Sequence, residues 1–220
     1  MKGIFQVGLP ASAGQLITSF SLSLIFIIIK NFGDEARAAY TIAFTYEMVA
    51  FLPVIGIGQA VTIMIGHNYG AQKYSRIKEI YFTALKSAIG LTIPVTVAIT
   101  LAPVFFANIF VHTAEVRDMT ANALRILSPG FVLAGIFICT VSAFQGIGLG
   151  KYQLWATLLR LFAFMIPIAF IFSKIWGLIG VWFGILSANI IMAILLLSWF
   201  WYIYHLKLIK GKINTLEEVG

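Results

Sequence analysis

One acid stands deep in an otherwise apolar stretch: Glu47, within Ala38 to Ile65. A carboxylate in hydrocarbon is costly on any insertion scale, so its presence calls for a function or a partner. Tyr40, Ala43, Phe44, Phe51 and Val54 lie at helical offsets from it and share its face, and three of these five carry aromatic rings. A carboxylate flanked by rings can hold an organic cation, and it can release a proton as the cation arrives, which is the minimum chemistry of exchange. The alternative is a pairing with Arg125 or Arg160, which also fall in apolar stretches, that only fixes helix packing. Gln15, Gln59, Asn122, Gln145 and Asn189 are uncharged polar groups in the same setting, and each needs a hydrogen-bond partner there. Of these, Gln15 and Asn189 are expected beside Glu47, because they come from the first and last apolar runs.

Other chemistries find little support. The His, Cys and acidic residues show no metal-ligand spacing, no phosphate-cradling glycine loop leads into Lys and Ser or Thr, and no paired acid and base suggests an enzyme. No cofactor beyond a coupling ion is expected. His67, His112 and His205 are expected near surfaces, and Cys139 sits alone in an apolar run, outside any disulfide framework.

The elements that must carry Glu47 follow from composition. Of 220 residues 60% are hydrophobic and only 10% charged, and mean hydropathy is +0.97. Ordinary soluble chains run near a quarter charged, so this one is built for lipid as its solvent. The fold class expected is all-α: an integral membrane bundle of six transmembrane helices. The apolar runs are at about Ile4 to Ile29, Ala38 to Ile65, Ile80 to Ala107, Met119 to Ile147, Tyr152 to Phe172 and Leu178 to Tyr204. They are too long, and lack the alternation, for barrel strands. One bundle over residues 1–206 and a short cytoplasmic tail over 207–220 are expected, with the first apolar run retained as a span because it is too long for a signal peptide.

Six crossings put both ends on one side, and the basic residues say which. Lys2, Lys73, Arg76, Lys78, Lys86, Lys151, Lys207, Lys210 and Lys212 fall on the side of the termini, against Lys30, Arg37, Arg117 and Lys174 on the other, so both termini are expected in the cytoplasm. The net charge of +7 therefore reads as orientation, and nucleic acid is not an expected partner. Trp199, Trp201, Tyr202 and Tyr204 are expected to form an aromatic belt at the inner interface. Counted from Ala38, Glu47 lies about 13.5 Å into the second span, near the middle of a core roughly 30 Å thick. Pro53 with Gly56 and Gly58 follows it and is expected to kink or loosen that helix, a hinge for alternating access; the alternative is that these small residues allow close packing.

The loop after the second span runs from Gly58 through Gly66, Asn68 and Gly70 to Arg76, and it resembles the corresponding loop in the carboxy-terminal lobe of multidrug and toxic compound extrusion (MATE) transporters. Gly8-Leu-Pro-Ala-Ser12, Ala38-Ala-Tyr-Thr-Ile42, Phe144-Gln-Gly-Ile-Gly-Leu-Gly-Lys151, Arg160, Pro167 and Trp176-Gly-Leu-Ile-Gly-Val-Trp182 agree in order and extend the resemblance from about residue 3 to 204. The resemblance implies one six-helix lobe of a two-lobed antiporter in a prokaryotic inner membrane, exporting cationic or amphipathic drugs in exchange for protons or sodium ions. It also implies a second six-helix lobe as partner, whether a separate chain, a missing half or a second copy. Some relatives place cation-binding acids on the first and fourth helices of this lobe. Here the first helix has Thr18 without a carboxylate and the fourth offers Asn122 and Arg125, which leaves Glu47 or the other lobe to carry coupling. The rival readings are a lipid-precursor flippase of the same broader superfamily and a non-transporting scaffold or gene remnant.

Overall fold

The structure is a computed structural model that describes residues 2–111 and 113–205, with side chains from Ser12 onward except that of Gln15. His112 and the expected tail over 207–220 lie outside the described residues. Within them the chain is helical: α1 (Lys2–Lys30), α2 (Asp34–Gly70), α3 (Tyr74–Leu101), α4 (Pro103–Phe110), α5 (Ala114–Leu127), α6 (Pro129–Gly146), α7 (Gly150–Leu158), a π-helical stretch over Leu159–Met165, and α8 (Ile166–Ile203).

The apolar runs become helices that cover most of the expected spans, but the stretch from Gly58 to Gly70, expected as a loop, is the end of α2, so that only 71–73 turns, and two spans change outline. The expected third span breaks at Ala102, because Pro103 cannot continue the ladder and forces its predecessor out of the helical region (φ −123°, ψ 49°). The expected fourth span is α5 plus α6, joined at Ser128 before Pro129. Five helical stretches are long and apolar enough to cross a membrane, and the last, Gly150–Ile203, has 54 residues, about twice what one crossing needs. It folds back on itself at Gly177, whose φ of 62° and ψ of −141° suit glycine alone. The two arms then close so tightly that a Cβ on Gly180 would overlap the Phe172 carbonyl, and one on Gly184 would overlap Ala169. That hairpin brings the expected fifth and sixth spans together.

The turns divide the bundle into a near end, with 71–73 and 147–149, and a far end, with 31–33 and Gly177. The helix α2 is central, packing on α3, α5 and α6, while α1 packs on α7 and the later part of α8 returns against α6. Two buried clusters result. The near-end cluster gathers Val61, Ile65, Tyr81, Phe144, Leu196 and Phe200; the far-end cluster gathers Ile25, Ile29, Tyr40, Phe131, Trp182 and Ile185. Leu16, Leu52 and Leu101 are 73%, 64% and 79% exposed on the outside, where only lipid or another protein surface makes such apolar exposure favourable.

The residues of the expected aromatic belt differ in exposure. Tyr202 faces outward, but Tyr204 is buried against Phe200, and Trp201 lies between the Lys78 ammonium and the His205 ring. The reason is azimuth: in one helical turn, neighbouring residues cannot all face the interface.

Candidate functional site

The far-end cluster does not close completely. Between α1, α2, α6, the π-helical stretch and α8 it leaves a cavity of about 290 Å³. Thr18 and Leu22 reach it from α1, Tyr40, Phe44, Glu47, Met48, Phe51 and Ile55 from α2, and Ala134, Phe137 and Ile138 from α6. Arg160, Leu161 and Met165 come from the π-helical stretch, and Ile185 and Asn189 from α8. A larger groove of about 420 Å³ between α2 and α3, edged by Asn68, Arg76 and Glu79, holds none of the residues expected to bind substrate or ion.

The helical offsets from Glu47 explain its surroundings. Residues one and two turns before it, Phe44 and Tyr40, and one turn after it, Phe51, project to the same side of α2 and wall the cavity. Tyr40 is held by stacking on Trp182 at 5.7 Å and by the edge of Phe26 at 5.3 Å, and Phe51 meets Phe131 edge-on at 6.2 Å. Tyr40 is thus both wall and core, while Phe44 and Glu47 remain partly accessible.

Arg160 arrives from the opposite wall. Its Nη1 donates to Asn189 Oδ1 at 3.4 Å, its guanidinium lies 4.6 Å from the centre of the Phe137 ring, and its Nε is buried without a hydrogen-bond partner. Asn189 gains its place because α6 has Gly130 opposite, where a Cβ would stand 3.3 Å from Asn189 Nδ2. The ion pairs within 4 Å among the described residues are Arg37–Asp34 and Arg117–Asp118, so Glu47 and Arg160 share one cavity without closing on each other.

The backbone around Arg160 is unusual. Leu159–Met165 forms a π-helical stretch immediately before Pro167. Proline cannot donate to the ladder, and its ring crowds the carbonyl four residues earlier, at Ala163. The wider π turn relieves that crowding and re-aims the side chains of the preceding turns, a distortion frequent at functional sites.

The structure therefore brings Glu47, Tyr40, Phe44 and Asn189 together. Gln15 lies on α1 with its side chain outside the described residues. Arg125 is exposed on α5 and does not line the cavity, so of the two arginines considered as partners of Glu47 only Arg160 is near it. Asn122 and Gln59 face outward as well. The helix α2 continues unbroken through Pro53; Gly58 is pressed against α6, where a Cβ would lie 2.7 Å from Ser142 Oγ, while Gly56 faces open space. Sequence reasoning missed the contributions of Met48, Phe137, Leu161 and Met165, and it treated Arg160 only as a possible tether. The signal that could have found Arg160 was its cost: a cation about two turns inside the apolar run from Tyr152 to Phe172 needs the same explanation as Glu47.

Comparisons with known proteins agree on the setting. A family model described as MatE matches residues 10–171. The chain is similar to the multidrug export protein MepA of Staphylococcus aureus, 24% identical over 196 residues, covering 88% of this chain and 43% of that protein. It is also similar to the probable multidrug resistance protein YoeA of Bacillus subtilis, 25% identical over 224 residues, covering 96% and 46%. Among solved structures, an outward-facing multidrug resistance MATE family transporter superposes with a TM-score of 0.85 at 30% identity, covering 98% of this chain and 47% of that one. A transporter from Pyrococcus furiosus, described as having a binding pocket of reverse polarity, superposes at 0.87 with 28% identity, covering 91% and 46%. The chain spans about half the length of the curated relatives it matches.

Proposed function

We propose, from the premise that this chain belongs to the MatE family, that it forms one six-helix lobe of a secondary antiporter exporting cationic or amphipathic drugs in exchange for protons or sodium ions. Multidrug export is what the name of MepA states, and multidrug resistance what the name of YoeA states, of relatives about twice as long. The observation that carries the reading here is the Glu47 carboxylate on the wall of an aromatic-sided cavity of about 290 Å³. A protonated Glu47 enters one conformation neutral. An incoming organic cation takes the place of the proton, and the proton leaves to the side from which the cation came; on the opposite side the cation departs and a proton returns. Tyr40, Phe44 and Phe51 supply ring faces for the cation, and the polar wall of Asn189 completes the pocket. Where sodium is the coupling ion, it occupies the carboxylate in the proton's place.

The second six-helix lobe, a separate chain, the remainder of a longer one or a second copy of this one, is proposed to cover the exposed side of α1 and α2 and double the cavity. Pro53 and Gly56 are proposed as the bend in α2, since one lacks a ladder donor and the other meets nothing within 4 Å. The basic asymmetry supports a multi-pass protein of a prokaryotic inner membrane with cytoplasmic termini. A lipid-precursor flippase draws support from Arg160, but the cavity balances that one guanidinium with one carboxylate, which suits a polyanionic headgroup poorly.

The test is dye efflux from vesicles holding the chain with its second lobe, driven by imposed pH or sodium jumps. The jump that drives efflux identifies the ion, and Glu47→Gln is expected to lower efflux at least tenfold. Full export by Glu47→Gln, with unchanged ion dependence, would remove the assignment.

A further inference from the structure

We propose that the groove between α2 and α3 at the near end is a binding site for an anionic glycerophospholipid of the surrounding leaflet, with Arg76 taking its phosphate and the apolar floor taking an acyl chain. The inference concerns the outer surface of the bundle. It rests on the bundle's crossing a membrane and not on what the far-end cavity carries.

Three observations carry it. First, the groove, of about 420 Å³, is ordered from polar to apolar as a lipid is. Asn68, Arg76 and Glu79 stand at the end next to the turn over 71–73, and Ile57, Val61, Met64 and Ile80 line the rest. From Asn68 back to Ile57 the helix α2 rises about 16 Å, close to half of a hydrocarbon core roughly 30 Å thick. The groove is thus about as long as one leaflet is deep. Second, the protein leaves the charges at the polar end unmatched. Arg76 and Glu79 are exposed and stand one turn apart on α3, a spacing at which opposite charges can pair, yet among the described residues neither joins an ion pair within 4 Å. The Asn68 amide turns to its own helix and donates to the Met64 carbonyl at 2.8 Å. A guanidinium fork with no carboxylate on it is open to a phosphate. Third, Lys86 is exposed on α3, about 18 Å from the start of that helix at Tyr74. A lysine at such depth that faces away from the bundle must reach back to the interface or find a polar partner. Helical side chains lean toward the N-terminus of their helix, here the near end, and Lys86 shares its face with Thr83 and Glu79, one and two turns before it. Thr83 and Glu79 line the groove, so the lysine extends its polar edge into the leaflet.

The charges choose the headgroup. From the turn through the first half of α3, Lys73, Arg76, Lys78 and Lys86 are exposed against one exposed acid, Glu79. A basic cluster at a membrane interface attracts anionic lipid, and a zwitterionic lipid would bring its own ammonium into the same positive field. A protein surface seated here would have to supply acids at two depths, one for Arg76 and one for Lys86. A phospholipid already carries a phosphate at the first level and ester oxygens at the second.

The experiment is native mass spectrometry of the full chain, with its second lobe, released from micelles that contain phosphatidylglycerol, phosphatidylethanolamine or phosphatidylcholine of one chain length. The affinity of the tightest-bound lipid is read. In the unaltered protein phosphatidylglycerol is expected to bind about fivefold or more tightly than phosphatidylcholine, the gain typical of one cation at an anionic surface. In Arg76→Gln that preference is expected to shrink to about twofold or less, and Arg76→Lys, which keeps the charge and loses the fork, is expected to fall between. Ala60→Trp fills the groove without touching a charge and is expected to weaken all three lipids together. Both positions are exposed, so the fold is expected to survive either change. Glu79→Gln is expected to keep or raise phosphatidylglycerol binding, because it removes the one like charge. Equal binding of phosphatidylglycerol and phosphatidylcholine by the unaltered protein overturns the proposal and needs no variant. So does a preference that survives Arg76→Gln, or binding that Ala60→Trp leaves untouched. A preference for phosphatidylethanolamine that disappears in Glu79→Gln would give the site to a zwitterionic headgroup, and overturns it as well.

Discussion

The near-end core around Phe144 and the far-end core around Tyr40 are made of the same materials and handle polarity in opposite ways. At the near end, the Thr62 hydroxyl lies 3.2 Å from the Ser142 carbonyl and 3.4 Å from Gln145 Oε1, Gln145 is hydrogen-bonded to Gln153, and the Tyr81 and Thr140 hydroxyls meet at 2.8 Å. Phe144 packs among Tyr152, Trp199 and Phe200, leaving no opening around it. At the far end a comparable set of rings surrounds a hollow, and among the described residues Glu47 and Arg160 on its walls form no ion pair within 4 Å, while the buried Arg160 Nε has no hydrogen-bond partner. In a bilayer every buried polar group must be satisfied by something. Where the protein satisfies it, the group holds helices together; where the protein does not, the partner has to come from outside. The near-end core is therefore closed on its own hydrogen bonds, while the far end keeps a cavity lined by Glu47 and Arg160.

The largest effect that could break this contrast comes from deleting one ring at each end. Phe144→Ala empties a fully buried site and is expected to cost about 3–5 kcal/mol, read from unfolding in mixed micelles. Phe51→Ala removes a partly exposed ring of the far-end cluster that already borders a void, so it is expected to cost roughly 1–2 kcal/mol. Equal costs would mean that the far end is as tightly packed as the near end, and that the hollow closes in the membrane.

A second, smaller effect has the opposite sign. Replacing both charges, in the double variant Arg160→Met with Glu47→Gln, removes an unpaired buried donor and a carboxylate from the cavity. Exchange of buried charges for less polar groups of similar size is often neutral or stabilising, here by about 1–3 kcal/mol, while ligand binding is lost. Thermal unfolding with and without a cationic dye checks both halves. A destabilised double variant would show that the two charges hold the helices together, as the near-end hydroxyls do.

Much of this contrast was legible in the sequence, but not its three-dimensional half. The spans follow from apolar runs, and Glu47 announces itself because hydrocarbon penalises a carboxylate. Its ring-bearing neighbours follow from helical periodicity alone, since they lie on the same helix. What periodicity cannot give is azimuth between helices distant in sequence. Arg125 and Arg160 look alike as cations in apolar runs, yet one faces outward from α5 and the other enters the cavity. The difference depends on a fold-back at Gly177 and on a π turn ahead of Pro167, and the second has no signature beyond a proline that could equally have ended or kinked the helix. The ambiguity of Gly58 has a similar origin. A small residue in a span permits either bending or close approach, and only the position of Ser142 on α6 shows that this one is filled by a neighbour.

The smallest effect tests the near end on its own terms. Thr140 Oγ1 lies 2.8 Å from the Ile136 carbonyl, so its single proton is engaged there, and the bond to Tyr81 must be donated by the tyrosine. Tyr81→Phe then removes a donor but leaves the threonine proton satisfied, and the ring keeps its stack on Phe200. The expected loss is about 1 kcal/mol, the net worth of one buried hydrogen bond. Thr140→Val is expected to cost more, up to about 3 kcal/mol, because it strands the tyrosine proton among Phe200, Phe82 and Cys139 with nothing to accept it. The order matters more than the sizes. If the two substitutions cost the same, Tyr81 has another acceptor, and the near end contains slack of the kind that the far end keeps for its ligand.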